Sequence, residues 1–188
     1  VKSLREFLSE GAQTNIYHGG SRVIRRLEPK SMHHGNSNNQ EGVGIYFGDT
    51  IEIAQTYGKK LVYIEVDKRK FVDSRAQAKR VLKAKHIADI LIDALETEPS
   101  VKEDLFYFVS DYVEVRDEDD LEKWHMEEVA KHLINDEIRY LQVTLAEVLG
   151  VEIFVESWNY YVSHIHGTYN ASEGFWSVIN TDYRVYPV

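Results

Sequence analysis

The chain contains no cysteine, which excludes disulfide staples, thiolate nucleophiles and cysteine-ligated zinc. That absence suits a reducing cytoplasm. Prolines number three, and two of them, Pro29 and Pro99, mark breaks between segments of different character. Long apolar runs are missing: none approaches the roughly 20 residues that a membrane-crossing helix needs, so no membrane partner is expected. Basic charge is also short, with 22 Lys and Arg against 31 Asp and Glu and a formal net charge of −9. That balance argues against a surface built for phosphate backbones, leaves no strong nucleic-acid signal, and slightly favours a basic macromolecular partner. No internal repeat or low-complexity tract is evident.

What is present is a globular composition. Apolar residues make up 43% and aromatics 12% of 188 residues, enough for one domain with a real core. Val1 to Glu10 reads as a short amphipathic helix with Leu4, Phe7 and Leu8 on one face. Thr14 to Tyr17 reads as a strand, and Ser21, a plausible N-cap, opens an expected helix to about Leu27. Lys30 to Glu41 is polar, holds the adjacent His33 and His34, and has the composition of a loop. Strands are expected at Val43–Phe47, Leu61–Val66 and Phe71–Val72, with a short helix at Thr50–Tyr57 that Gly58 can end.

From Arg75 to Leu149 the apolar period becomes helical. Val81, Ala84, Ala88, Leu91 and Leu95 form one set, Leu105, Phe108, Val109 and Tyr112 a second. Leu133, Ile134, Ile138, Leu141, Leu145 and Val148 form a third. Three helices are predicted, separated near Pro99 and in Asp117-Glu118-Asp119-Asp120, with Gly150 ending the last. Val151–Val155, Tyr160–Ile165, Phe175–Ile179 and Tyr183–Val188 read as strands. A β-rich front, a helical middle (75–149) and a β-rich end define an α+β class.

The chemistry is carried by three short pieces in order: Tyr17-His18-Gly19-Gly20-Ser21, then Gly42-Val43-Gly44-Ile45-Tyr46-Phe47, then Ala54-Gln55-Thr56-Tyr57-Gly58. They offer an imidazole, a glycine that lets a ligand approach the backbone, and phenol rings that stack while presenting a polar tip. This set resembles the nicotinamide pocket of ADP-ribosyltransferases of the diphtheria-toxin and poly(ADP-ribose) polymerase type, the His-Tyr-Glu group. The resemblance implies an ADP-ribosyltransferase-like fold of two small packed β-sheets over residues 11–188. It also implies NAD as substrate, no metal, and transfer of ADP-ribose to a host macromolecule, most simply a protein. It assigns His18 to a ribose hydroxyl, Gly19 to the carboxamide, Tyr46 and Tyr57 to the two faces of nicotinamide, and Phe47 to the aromatic after Tyr46.

Two positions depart from the pattern. Ala54 stands where many relatives place a carboxamide-binding serine, so one hydrogen bond worth ~0.5–1.5 kcal/mol is missing or comes from Thr56 or Gln55. The late glutamate has three candidates: Asp182 first, from laying Thr181–Tyr186 over the polymerase-type Asn-Glu-Tyr-x-Val-Tyr, then Glu173, then Glu156. A strand overlay starting at Trp176 puts Phe175 at the glutamate position. The alternative is a degenerate transferase fold that binds NAD without turnover or serves as a structural head protein. Elsewhere, His125, Glu128 and His132 on one helical face read as surface, and His164 with His166, on one side of an expected strand, read as partner-bonded.

Lys2-Ser3-Leu4-Arg5-Glu6-Phe7-Leu8-Ser9-Glu10-Gly11 resembles the capsid-targeting leaders of internal head proteins in T-even-like phages, with Leu8-Ser9-Glu10 as the cleavage pattern before Gly11-Ala12. That resemblance implies packaging in the phage virion, injection with the genome, and action in the host bacterial cytoplasm. Without a leader, the expectation is a cytoplasmic protein whose N-terminal helix packs on the domain.

Overall fold

A computed structural model describes residues 11–32 and 41–188. The expected helix or leader at Val1–Glu10, and His33 and His34, lie outside the described residues. Seven strands follow in order: β1 (Gln13–Gly20), β2 (Ile45–Gly48), β3 (Lys60–Asp67), β4 (Phe71–Asp73), β5 (Gly167–Asn170), β6 (Phe175–Val178) and β7 (Tyr186–Pro187). They join in one mixed sheet of order β4-β5-β6-β2-β1-β3-β7, so the two separate sheets expected from the resemblance are not observed as such. The front and back of the chain are joined because β2 and β6 pair along all four residues, from Ile45↔Val178 to Gly48↔Phe175. The middle of the sheet is nonetheless thin. β1 runs in register with β3 from Gln13↔Asp67 to Gly20↔Lys60, yet meets β2 through the single pair Tyr17↔Gly48.

Among the described residues the six α-helices are α1 (Ile51–Gln55), α2 (Ala84–Thr97), α3 (Lys102–Ser110), α4 (Lys123–Leu133), α5 (Ile138–Leu149) and α6 (Val151–Tyr161). In the helical layer α2 packs on α4 and α6, while α5 packs on α3 and α6. Ile16, Phe47 and Ile64 from the sheet join Leu91, Met126, Leu141, Leu145, Phe154 and Trp158 from the helices in one core. Each such side chain contributes ~1.5–3 kcal/mol through burial. Thr50 caps α1 by accepting from the Ile53 amide at 3.2 Å, satisfying one of the orphan donors of the first turn.

Five expectations are corrected. Val151–Val155 and Tyr160–Ile165 are not strands: residues 151–161 form α6. The alternating β-branched run conceals a helical spacing, for Phe154, Val155, Trp158 and Val162 are the ones buried. Gly150, at φ +85°, ends α5 and restarts the chain directly as α6, a left-handed conformation that other residues rarely adopt. Ser21–Leu27 is irregular. Seven residues with Val23 exposed and Leu27 as the buried anchor do not offset the cost of helix nucleation. The third apolar set is divided between α4 and α5 by a turn at 134–137, where the carbonyls of Ile134 and Asp136 accept from Lys79 and Ala78. The predicted strand at Tyr183–Val188 shrinks to β7, and β5 was not foreseen. No described helix is long and apolar enough to cross a membrane.

Candidate functional site

Three of the pieces singled out in the sequence meet at the end of β1, beside its thin seam with β2. Past Tyr17 the two strands exchange no further paired residues, and the His18 imidazole spans the gap, its Nδ1 2.8 Å from the Tyr46 carbonyl oxygen. A carbonyl only accepts, so Nδ1 carries the proton and Nε2 of the neutral ring is an acceptor. Among the described residues nothing hydrogen-bonds to Nε2. Phe47, fully buried, backs the imidazole with ring centroids 5.5 Å apart.

Gly19 is required by packing. A Cβ there would lie 2.0 Å from the Ala54 carbonyl oxygen and 2.9 Å from that of Gly58. A Cβ on Gly58 would in turn meet the Gly20 backbone at 2.3 Å. This backbone-to-backbone approach presses α1 and the following turn against β1, which carries Tyr57 to the His18–Gly19 end. Tyr57 is 55% exposed, and its ring meets Phe175 edge-on at 5.9 Å. Ala54 is buried in the contact, and the Thr56 hydroxyl is engaged with the Ile53 carbonyl at 2.7 Å.

Tyr46 is held from below. Its hydroxyl donates to the Gly42 carbonyl at 2.9 Å. Burial pushes its phenol up to about 12, and the nearby Glu41 charge adds to the rise. Glu41, unremarked in the sequence, is a nearly fully buried carboxyl residue. Its side chain accepts from the Ser74 hydroxyl and, at 3.0 Å, from the Asn170 amide. Its backbone carbonyl accepts from Thr168. These bonds tie the entry of β2 to β4 and β5. The available signal was a charged residue four positions before β2, at the start of a segment that is buried almost throughout. Gln142 belongs to the same cluster: its Oε1 accepts from the Val43 amide at 3.1 Å, while its Nε2 and Ser177 Oγ are buried and have no hydrogen-bond partner among the described residues.

The three candidate carboxylates are dispersed. Glu173 is exposed in the turn between β5 and β6, two residues before the Phe175 that touches Tyr57. Asp182 is exposed beyond β6, where its amide donates to Asn180 Oδ1 at 2.9 Å. Its charge acts on His166, whose pKa is lowered by burial first. Glu156 is on the exposed side of α6, in a cleft shared with Arg26, Lys30, Asn159 and Thr181. No residue of β6 itself is a carboxylate.

The other histidines have local duties. His125, expected at the surface, is buried instead; its Nδ1 accepts from the Glu122 amide at 2.9 Å, and His86 Nδ1 accepts from that of Lys83 at 3.0 Å, each capping its helix. His164 Nε2 lies 3.2 Å from the Val81 carbonyl, and His166 Nδ1 lies 2.5 Å from the Tyr183 hydroxyl.

No protein-family model matches the sequence, and no curated protein matches it. Among solved structures the chain is similar to the crystal structure of an anti-CRISPR protein, at 13% identity and a TM-score of 0.39 over 94% of this chain and 96% of that one. A likeness that distant carries no functional inference.

Proposed function

We propose that this chain is an NAD-dependent ADP-ribosyltransferase with an ADP-ribosyltransferase-like sheet, modifying a host protein. The carrying observation is the seam between β1 and β2, where His18 is held by the Tyr46 carbonyl with its Nε2 left as an acceptor. A ribose hydroxyl is the donor that Nε2 lacks. Tyr57 offers an accessible ring for the nicotinamide, and Tyr46, pinned through Gly42, supplies the opposing wall. Phe47 fixes the imidazole from behind, and Gly19 lets α1 close on β1 so that Tyr57 stands beside His18. Glu173 is the carboxylate that orients the ribose and polarises the attacking group, because its turn leads into the Phe175–Tyr57 contact. The leader-like pattern of residues 2–11 supports delivery from a phage head.

A second reading is NAD binding without turnover. The absence of a carboxylate on β6, with Phe175 seated against Tyr57, favours it. One experiment separates the two: NAD titration by calorimetry together with release of free nicotinamide. The transferase reading expects both, with turnover lost in His18→Ala and Glu173→Gln. Binding without release supports the second reading, and there Phe175→Glu should create release. Wild-type protein that does not bind NAD refutes both.

A further inference from the structure

Away from the β1–β2 seam, α2 and α6 form a groove of ≈ 300 Å³. Its chemistry differs from that of the first site. Asp93 and Glu98 enter from α2 and its C-terminal cap, and Glu156, Ser157, Tyr160 and Tyr161 enter from α6. The ends of α2 are already neutralised, Asp89 by Lys85 at 3.3 Å and Glu96 by Lys123 at 3.0 Å. Among the described residues Asp93 and Glu98 have no ion pair, and Glu156, which also borders the cleft of Arg26 and Lys30, is paired with neither, since both bridge to Glu28.

A second observation points to a ligand. Ser157 is 7% exposed, lines the groove, and has no side-chain hydrogen bond among the described residues. Its oxygen faces the open groove, where solvent or a ligand donor answers it. Above it Tyr160 is 78% exposed and meets Tyr161 edge-on, with centroids 4.8 Å apart at 80°. The Tyr161 phenol is pushed up by burial first, then by the charge of Asp93. The groove thus combines unpaired negative charge, an unpartnered hydroxyl and an open aromatic face.

We propose that the α2–α6 groove is a docking site for an arginine side chain on a basic segment of a partner protein. A guanidinium is planar, carries five donors in a fixed fork and stacks on aromatic faces. The carboxylates of Asp93, Glu98 and Glu156 and the Ser157 oxygen are acceptors only or accept readily. Tyr160 provides the face. A carboxylate or phosphate ligand would be repelled, and a purely apolar one would leave three charges and a hydroxyl unanswered. The chain's net charge of −9 would steer such a partner towards it. This docking stands whether or not NAD is turned over.

The test is fluorescence anisotropy of a labelled tri-arginine peptide on the full chain, with tri-citrulline and tri-lysine peptides of the same length. Tri-arginine should bind, more weakly as salt is raised. Tri-citrulline should not bind, and tri-lysine should bind several-fold more weakly than tri-arginine. The double variant Asp93→Asn/Glu156→Gln should lose about tenfold in affinity, and Ser157→Ala about threefold, both with unchanged melting temperature. Equal binding of tri-citrulline or tri-lysine, wild-type affinity in the double variant, or no binding of tri-arginine would overturn the proposal.

Discussion

Gly19→Ala tests whether the close approach of α1 to β1 builds the site. The new Cβ would sit 2.0 Å from the Ala54 carbonyl oxygen, 2.7 Å from its carbon and 2.9 Å from the Gly58 oxygen. An unstrained carbon–oxygen contact is about 3.3 Å, so α1 must retreat by roughly 1.3 Å. All three obstacles are backbone atoms, so no side chain can turn aside, and the cost falls at the upper end of overpacking, about 3 kcal/mol. Alanine returns about 0.5–1 kcal/mol by restricting the unfolded chain, leaving a loss of about 2 kcal/mol. For a domain of this size that corresponds to a melting temperature lower by about 4–8 °C. Gly11→Ala is the control, because nothing lies within 4 Å of its Cβ position. Gly58→Ala strains the neighbouring contact, so the double variant Gly19→Ala/Gly58→Ala should fall short of additivity. Thermal unfolding by circular dichroism reads all four proteins. A Gly19→Ala protein that melts with the Gly11→Ala control would refute the packing argument.

Tyr46→Phe removes the bond to the Gly42 carbonyl and should cost about 1 kcal/mol in urea unfolding; no change would mean that the hydroxyl does not hold the ring. Because the folded Tyr46 phenol is raised above its ordinary 10.0 to about 12, the native state holds that proton more tightly. Its contribution is therefore full below pH 10 and is lost as pH rises from 10 to about 12, a decline that Tyr46→Phe should lessen. Glu41→Ala leaves the Ser74 hydroxyl and Asn170 amide without their buried acceptor, for an expected loss of about 2–4 kcal/mol; a loss below the scatter of chemical denaturation would contradict the buried network. At the acid side, His86 and His166 have pKa values lowered chiefly by burial. Unfolding binds protons there, so stability should fall as pH drops below 6.5. A flat pH profile from 7 to 5 in the wild-type chain would count against it.

Local patterns were legible where one period dominated. The short segment Thr50–Tyr57 ending at Gly58 marked α1, and the β-rich residues from Leu61 to Val66 marked most of β3. The His18, Gly19, Tyr46 and Tyr57 set could be singled out because their residue types are unusual in combination. Val151–Val155 was misread because Val-Glu-Ile-Phe-Val satisfies both periods over five residues, and only the burial of Trp158 and Val162 further on distinguishes them. β5 escaped notice because Gly167-Thr168-Tyr169-Asn170 has no apolar alternation. It is a strand because β4 and β6 flank it and satisfy its backbone groups. Glu41 looked like the end of a polar loop, since nothing local reveals that Ser74 and Asn170, 33 and 129 residues away, supply its donors.

By itself the sequence determined the α+β class, the exclusion of cysteine chemistry, the helical period of the middle segment and the residue types offered to a ligand. Composition and short-range periodicity carry that information, because they depend on neighbours within a turn or two of chain. The tertiary structure alone decided that β2 and β6 join front and back into one sheet and that β1 and β2 part after Tyr17. It also decided which nitrogen of His18 the Tyr46 carbonyl engages, and that β6 presents Phe175 rather than a carboxylate to Tyr57. Those outcomes depend on strand register and on backbone contacts between residues far apart in the chain, and a one-residue shift in the β2–β6 register would turn every β6 side chain to the other face.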